Sequence, residues 1–232
     1  TERAIALGPG HEVRTLAGEV LVRLRDDIIW CRLQPGTPLR FETLKDSYGA
    51  SFTTLREALT GLVADGLVVS EGQRGYRVAP VTRADLLDLT ESRVLIERQL
   101  LALAIEHGGD EWEIATAAAL HRMALVIQRH GARTATTPEW KQVHAGFHEA
   151  LVSAAASPIL LGFRASLYAR AERYRTLCAV HRKKVPDKAG EHKAIMDAAL
   201  ARDVDAAQRL IDKHIRATTT EVLAHAHKLL ES

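Results

Sequence analysis

Two cysteines in 232 residues, Cys31 and Cys178, are too few and too far apart to build a disulfide framework or a thiolate metal cage. They read as two reduced thiols of an intracellular protein. No apolar run approaches the roughly 18 residues of a membrane span, and no opening segment reads as a signal peptide, so a cytoplasmic location is expected. Aromatic residues make up only 5% of the chain, and the three tryptophans, Trp30, Trp112 and Trp140, stand isolated as core or interface residues. Neither sign of charge dominates: 31 Lys and Arg face 29 Asp and Glu, and the first 80 residues carry ten of each. Net charge therefore selects no polyanionic partner, and any nucleic-acid reading must rest on motif and on the face the charges occupy. The chain also lacks a glycine-rich phosphate loop, a G-x-S-x-G elbow, an H-E-x-x-H pair and a setting for a cysteine nucleophile. It is not expected to be an enzyme.

What is present suffices for two cores, since 47% of the residues are apolar. The most informative stretch runs from Gly49 to Gly66. Gly49 supplies a positive-φ turn and Ser51 an N-cap. Leu55, Ala58, Leu59, Leu62 and Val63 then follow helical spacing. Thr53, Thr54 and Arg56 fall off that stripe near the helix start, free to reach outward. A short helix over about 41–48 precedes this one, which is the layout of a helix-turn-helix. Leu67–Ser70 and Tyr76–Ala79 are short apolar runs joined by Glu71-Gly72-Gln73-Arg74-Gly75, a hairpin connection. Helix-turn-helix plus hairpin predicts a winged helix, with Arg74, and with it Arg77, reaching toward phosphate or minor groove. Upstream, residues 1–12 read as a loose arm broken by Gly8-Pro9-Gly10, and a helix is expected from about Glu12 to Cys31.

The run Leu33-Gln-Pro-Gly-Thr-Pro-Leu-Arg40, then Leu55-Arg-Glu-Ala-Leu59, Asp65-Gly-Leu67 and Arg74-Gly-Tyr-Arg-Val78 resembles the N-terminal domain of GntR-family transcriptional regulators over residues 14–80. The resemblance implies a DNA-binding domain over 1–80, with Arg40, Ser51, Thr53, Thr54, Arg56 and Arg74 at the DNA. Phe52 departs from the family pattern, which has a DNA-contacting arginine there. An operator other than the family's commonest follows, and Glu42 likewise stands where some relatives place a basic contact.

Residues 81–232 show almost no strand signal. Six helices are expected, over about 83–107, 110–130, 138–155, 158–181, 187–202 and 204–229, with Thr82, Asp110, Thr137, Asp187 and Asp203 as N-caps. Short connections between long amphipathic helices imply an antiparallel bundle. The fold class is thus mostly α, a winged helix followed by an all-α bundle. His144 and His148, four apart, share one helix face. His192 and His214 lie on two further helices, and neighbouring helices can bring all four imidazoles to one point. A lone histidine on a helix is more often a solvent-facing or satisfied side chain, and His107, His121, His130, His181, His225 and His227 are read that way. Arg164, Arg170, Arg173 and Arg175 crowd one helix and are read as mostly solvated, one of them facing a pocket.

The helical region is similar to the ligand domain of FadR-type GntR regulators, the FCD domain, in which an Asp, two His and a further His bind a divalent metal. Phe147-His148-x-x-Leu151, Glu191-His192-x-x-Ile195 and His214 match three positions, while His144 replaces the usual Asp. That resemblance implies a metal held by His144, His148, His192 and His214. Four neutral imidazoles favour a transition metal, Zn or Ni, over oxygen-seeking ions. It also implies an effector, a small carboxylate completing the metal shell, with Arg93 as its anion partner.

The whole reads as a transcriptional regulator, by default a repressor. A homodimer would meet a pseudo-palindromic operator, and the effector would act through the linker near Val81. Two alternatives stand beside it. One is a metal-independent sensor of acyl-CoA type, against which the four matched histidines weigh. The other is a metalloenzyme, against which weigh Ala145 in place of a glutamate after the first histidine and the smaller room for a reactive water at a metal held by four protein ligands.

Overall fold

The computed structural model describes residues 15–131, 134, 137–181 and 189–226. The expected N-terminal arm and the caps and ends placed at Asp187 and beyond residue 226 lie outside them. The chain divides into two compact units, one ending at Pro80 and the other beginning at Val81.

In the first unit, α1 (Leu16–Ile29) starts at Thr15, whose hydroxyl accepts from the Gly18 amide at 3.1 Å. Helix α2 (Phe41–Tyr48) ends at Gly49 with φ 63°, and α3 (Phe52–Ala64) starts at Ser51, whose Oγ accepts from the Thr54 amide. Gly66, at φ 69°, closes α3: its amide reaches the Val63 carbonyl and that of Leu67 reaches Leu62, both at 3.0 Å. The core joins Val20, Leu24 and Ile28 of α1 to Leu55, Ala58, Leu59 and Leu62 of α3, as the apolar stripe requires.

A third strand enlarges the expected hairpin. β1 (Pro38–Leu39) pairs antiparallel with β3 (Tyr76–Val78), which pairs on its other side with β2 (Val68–Ser70). β1 is two residues long, shorter than any periodicity can register. The connection between β2 and β3 is a 3₁₀ turn over Gly72–Arg74. Arg77 does not point out of the wing. It donates to the Gly36 carbonyl at 2.5 Å and pairs with Glu71 at 2.9 Å, tying the wing to the turn before β1.

The second unit holds six helices among the described residues: α4 (Arg83–His107), α5 (Asp110–His130), α6 (Pro138–Val152), α7 (Pro158–His181), α8 (Ala189–Leu200) and α9 (Val204–His225). Thr82, Thr137 and Asp203 cap α4, α6 and α9 by accepting an amide three residues on. Asp110 does not cap. Gly109 takes that position without a side-chain bond, and Asp110 begins the helix, where its charge still favours the positive end of the dipole. Helix α6 gives way to a 3₁₀ turn at Ser153–Ala155.

Helix α4 is central, packing on α6, α7, α8 and α9. Its inward face reads Leu86, Leu89, Thr90, Arg93, Val94, Glu97, Leu100, Leu101, Ala104 and Ile105. An apolar stripe is thus interrupted mid-helix by a buried arginine and a buried glutamate, one turn apart.

Gly49→Ala tests the turn between α2 and α3. A Cβ there meets nothing within 4 Å, so the cost is conformational alone. Urea denaturation is expected to show a loss of about 1–2 kcal/mol, and an unchanged midpoint would show that the turn does not hold its positive φ.

Candidate metal centre and nucleic-acid interface

His144 and His148 project from α6 one turn apart, His192 from α8 and His214 from α9. The structure brings all four together: one ring nitrogen from each lies within 4.8 Å of the others, and all four residues are buried. The Nε2 atoms of His144 and His192 stand 3.3 Å apart. Donors sitting about 2.1 Å from one ion are at most about 4.2 Å from each other, so a single ion would draw the most distant of these rings inward by a few tenths of an ångström.

Its chemistry fits as well. Burial is the main cause holding His144 and His148 well below the usual imidazole pKa, reinforced for His144 by the nearby Arg175 and for His148 by its neighbouring histidines. Both rings are therefore neutral and carry a free lone pair, the form that binds a metal. The outer nitrogens are held from behind: Nδ1 of His144 meets the Tyr168 hydroxyl at 2.9 Å, and Nδ1 of His214 meets Glu191 at 2.8 Å. A carboxylate on Nδ1 fixes the tautomer and turns Nε2 to the centre, as in known metal sites. Nε2 of His148, fully buried, has no hydrogen-bond partner. A buried acceptor without a donor is costly, and a cation between the rings would satisfy it.

The arginines depart from expectation. Arg164 and Arg173 are buried, Arg175 and Arg170 partly so, and the one helix they share is not mainly solvated. Arg170 pairs with Asp85 at 2.5 Å. Arg93, from α4, lies 3.6 Å from Glu97, and Arg164 meets the other oxygen of that carboxylate at 3.0 Å. Arg93, Arg164 and Arg175 all approach the ring of Tyr168, at 5.4, 5.4 and 4.4 Å from its centroid. Tyr168 is in turn the hydroxyl on His144, so the cationic group adjoins the imidazoles. Burial pushes the pKa of Arg93 down, and Arg175 nearby adds to the effect. Arg93 Nε, Arg164 Nη2 and Glu97 Oε1 are buried without a hydrogen-bond partner.

Sequence reading did not single out Tyr168, Glu97 or Glu191 as parts of this group, and left open which of the α7 arginines faces the pocket. Glu191 directly precedes His192, and Tyr168 lies one turn after Arg164, spacings that would have suggested both. Which of four arginines turns inward depends on the rotation of α7, which a helix with no clear apolar stripe does not reveal.

On the first unit, Ser51, Phe52, Thr53 and Arg56 are exposed at the start of α3, with Thr54 half-buried. Ser51 Oγ is engaged in its cap and lies 2.9 Å from Thr54 Oγ1, so these two hydroxyls are partly committed to the helix start. The Arg56 guanidinium lies 4.9 Å from the Phe52 ring centroid. Arg40, at the start of α2, and Arg74, in the wing turn, are exposed.

Glu97→Ala would leave two buried guanidinium groups without their carboxylate. A loss of about 3–5 kcal/mol in unfolding free energy is expected, read by denaturant titration of the full chain. A loss below 1 kcal/mol would show that the arginines are balanced by other groups.

Comparison with known proteins finds matches to both units. The model for bacterial regulatory proteins of the gntR family matches residues 16–78, and that for the FCD domain matches residues 88–217. The HTH-type transcriptional regulator BphR of Paraburkholderia xenovorans is 37% identical over 219 residues, covering 92% of this chain and 88% of its own. The HTH-type transcriptional repressor GlaR of Escherichia coli is 37% identical over 198 residues, covering 83% and 89%. Among solved structures, E. coli McbR/YncC superposes with a TM-score of 0.76 at 18% identity, covering 91% of this chain and 99% of its own, a likeness of fold. The domains and relatives are those of transcriptional regulators, not of enzymes, and no helix among the described residues is long and apolar enough to cross a membrane. The chain belongs to the GntR family of bacterial transcriptional regulators, with an FCD domain following its helix-turn-helix domain.

Proposed function

We propose that this regulator is a homodimeric repressor whose hold on a pseudo-palindromic operator is set by a small carboxylate bound at a metal in the helical domain. The observation that carries this reading is the convergence of four buried histidines, His144, His148, His192 and His214, from three helices. Residues 1–80 are assigned to DNA binding and 81–232 to effector binding and dimerisation. When bound, a Zn or Ni ion would supply a Lewis-acidic centre that attracts an oxyanion. The protein's own contribution is orientation: Glu191 and Tyr168 hold two imidazoles from behind, and burial keeps water from competing.

Four neutral imidazoles bring no negative charge to a dication, unlike a site with an aspartate. The neighbouring Arg93, Arg164 and Arg175 exceed the carboxylates of Glu97 and Glu172 set among them. An anionic effector is favoured by both features, and Arg93 is the side chain assigned to it. At the other end, Arg56 is assigned a base or phosphate contact, flanked by Thr53, Thr54 and Ser51, with Arg40 and Arg74 on phosphates. Coupling between the two requires that effector and DNA favour different conformations, and it must be reciprocal. The similarity to GlaR, a transcriptional repressor, supports the default of repression.

Elemental analysis of chelator-washed, reconstituted protein is expected to find about one Zn or Ni per chain. The double substitution His148→Ala with His192→Ala should abolish that metal, and full occupancy in the double variant would rule out the four-histidine site. Independently, Arg56→Ala should weaken operator binding about ten-fold or more while metal content stays intact. Unchanged affinity would remove Arg56 from the interface.

A further inference from the structure

The first turn of α3 carries an aromatic surface that the helix itself does not need. Phe52, the first residue of α3, leaves 51% of its surface exposed. Its ring is nonetheless held in place. It stacks on Phe41 of α2, with centroids 4.1 Å apart and planes 32° from parallel. Phe41 is braced in turn by Tyr76 of β3, edge to face at 6.0 Å. The Arg56 guanidinium closes over the assembly, 4.9 Å from the Phe52 centroid and 6.0 Å from that of Phe41. A ladder therefore runs from the wing through α2 to the start of α3 and ends in an exposed apolar ring. Stacking of this kind fixes a side chain at little further entropic cost on binding.

The place of the ring names its target. The opening turn of the second helix in a helix-turn-helix lies against base edges in the major groove. Phe52 has no donor or acceptor, so it cannot take part in the hydrogen-bond code there. The apolar group that the four base pairs present in that groove is the C5 methyl of thymine. With ten basic and ten acidic residues in the first 80, this domain also draws less on sequence-independent charge attraction than a basic domain would, which leaves more of its affinity to contacts of this kind.

We infer that Phe52 is a specificity-determining residue that reads a thymine methyl in each operator half-site, from the platform built by Phe41, Tyr76 and Arg56. This rests on the assignment of α3 to the major groove. Arg56, held over the same ring, is set to address the neighbouring base or phosphate with its guanidinium already oriented.

The test starts from operator duplexes enriched from a random library with the full-length chain. Each thymine is then replaced in turn by uracil, which keeps the pairing and removes only the methyl, and affinity is measured by fluorescence anisotropy. At one thymine per half-site the wild-type chain should lose about 3- to 5-fold in affinity, the worth of one buried methyl. Phe52→Ala should bind the thymine and uracil duplexes equally, while Phe52→Leu, which keeps an apolar side chain, should retain part of the discrimination. The inference is overturned if no thymine is sensitive in the wild-type chain, or if the sensitivity survives in Phe52→Ala. Enrichment of sequence-specific duplexes with no methyl effect would overturn it alone. Failure to enrich any duplex would overturn the assignment of α3 to DNA along with it.

Discussion

Holding four imidazoles at one point inside an α-helical bundle is the constraint around which the second unit is arranged. Burial disfavours the protonated form of His144 and His148, and the two outer nitrogens with a Tyr168 or Glu191 partner fix which ring nitrogen of His144 and His214 faces inward. The same burial makes an unsatisfied nitrogen expensive, as at His148 Nε2. A bundle built only for stability would place leucine or isoleucine at these positions. The site's cost is carried by the apolar layer around it, where Phe147, Leu151, Ile195, Ile211 and Ile215 alternate with the histidines on the same helices.

Charge follows the same logic one layer out. Arg93 and Glu97 interrupt the apolar face of α4, and Arg164 and Arg175 join them from α7 around Tyr168. Buried ion pairs of this kind contribute little net stability against apolar residues of similar size. Their presence beside a cluster of metal-type donors is what the proposed anionic effector would account for. Tyr168 is the physical link, its hydroxyl on the His144 ring and its face on three guanidinium groups.

The first unit solves a different problem with few parts. A three-stranded sheet of very short strands would not stand alone. It is held by Val68, Val78 and Leu39 in the same core as α1 and α3, and by Arg77, which spends its charge on Glu71 and on the Gly36 carbonyl rather than on a partner. At the start of α3, Ser51, with its hydroxyl used in capping, Thr53, Arg56 and the Phe52 ring remain exposed, with Thr54 half-buried beside them.

Much of this was legible in the sequence because it depends on local spacing. The α3 stripe, Gly49 and Gly66, the Ser51 cap and the i,i+4 pair His144 and His148 are set by periods of 3.6 residues and by backbone conformations few residues tolerate. The convergence of His192 and His214 on that pair was legible only as a possibility, since helix phase marks a face but not the neighbour it meets. Tertiary structure alone decided the two-residue strand β1, the inward turn of Arg164 and Arg173, the structural use of Arg77 and the stacking of Phe52 on Phe41. Each depends on contacts between residues distant in the chain, and a long flexible side chain or an isolated ring carries no periodic signal of where it points. Sequence by itself determined the two folds and the chemistry available to them. Packing determined which of those side chains face a common centre.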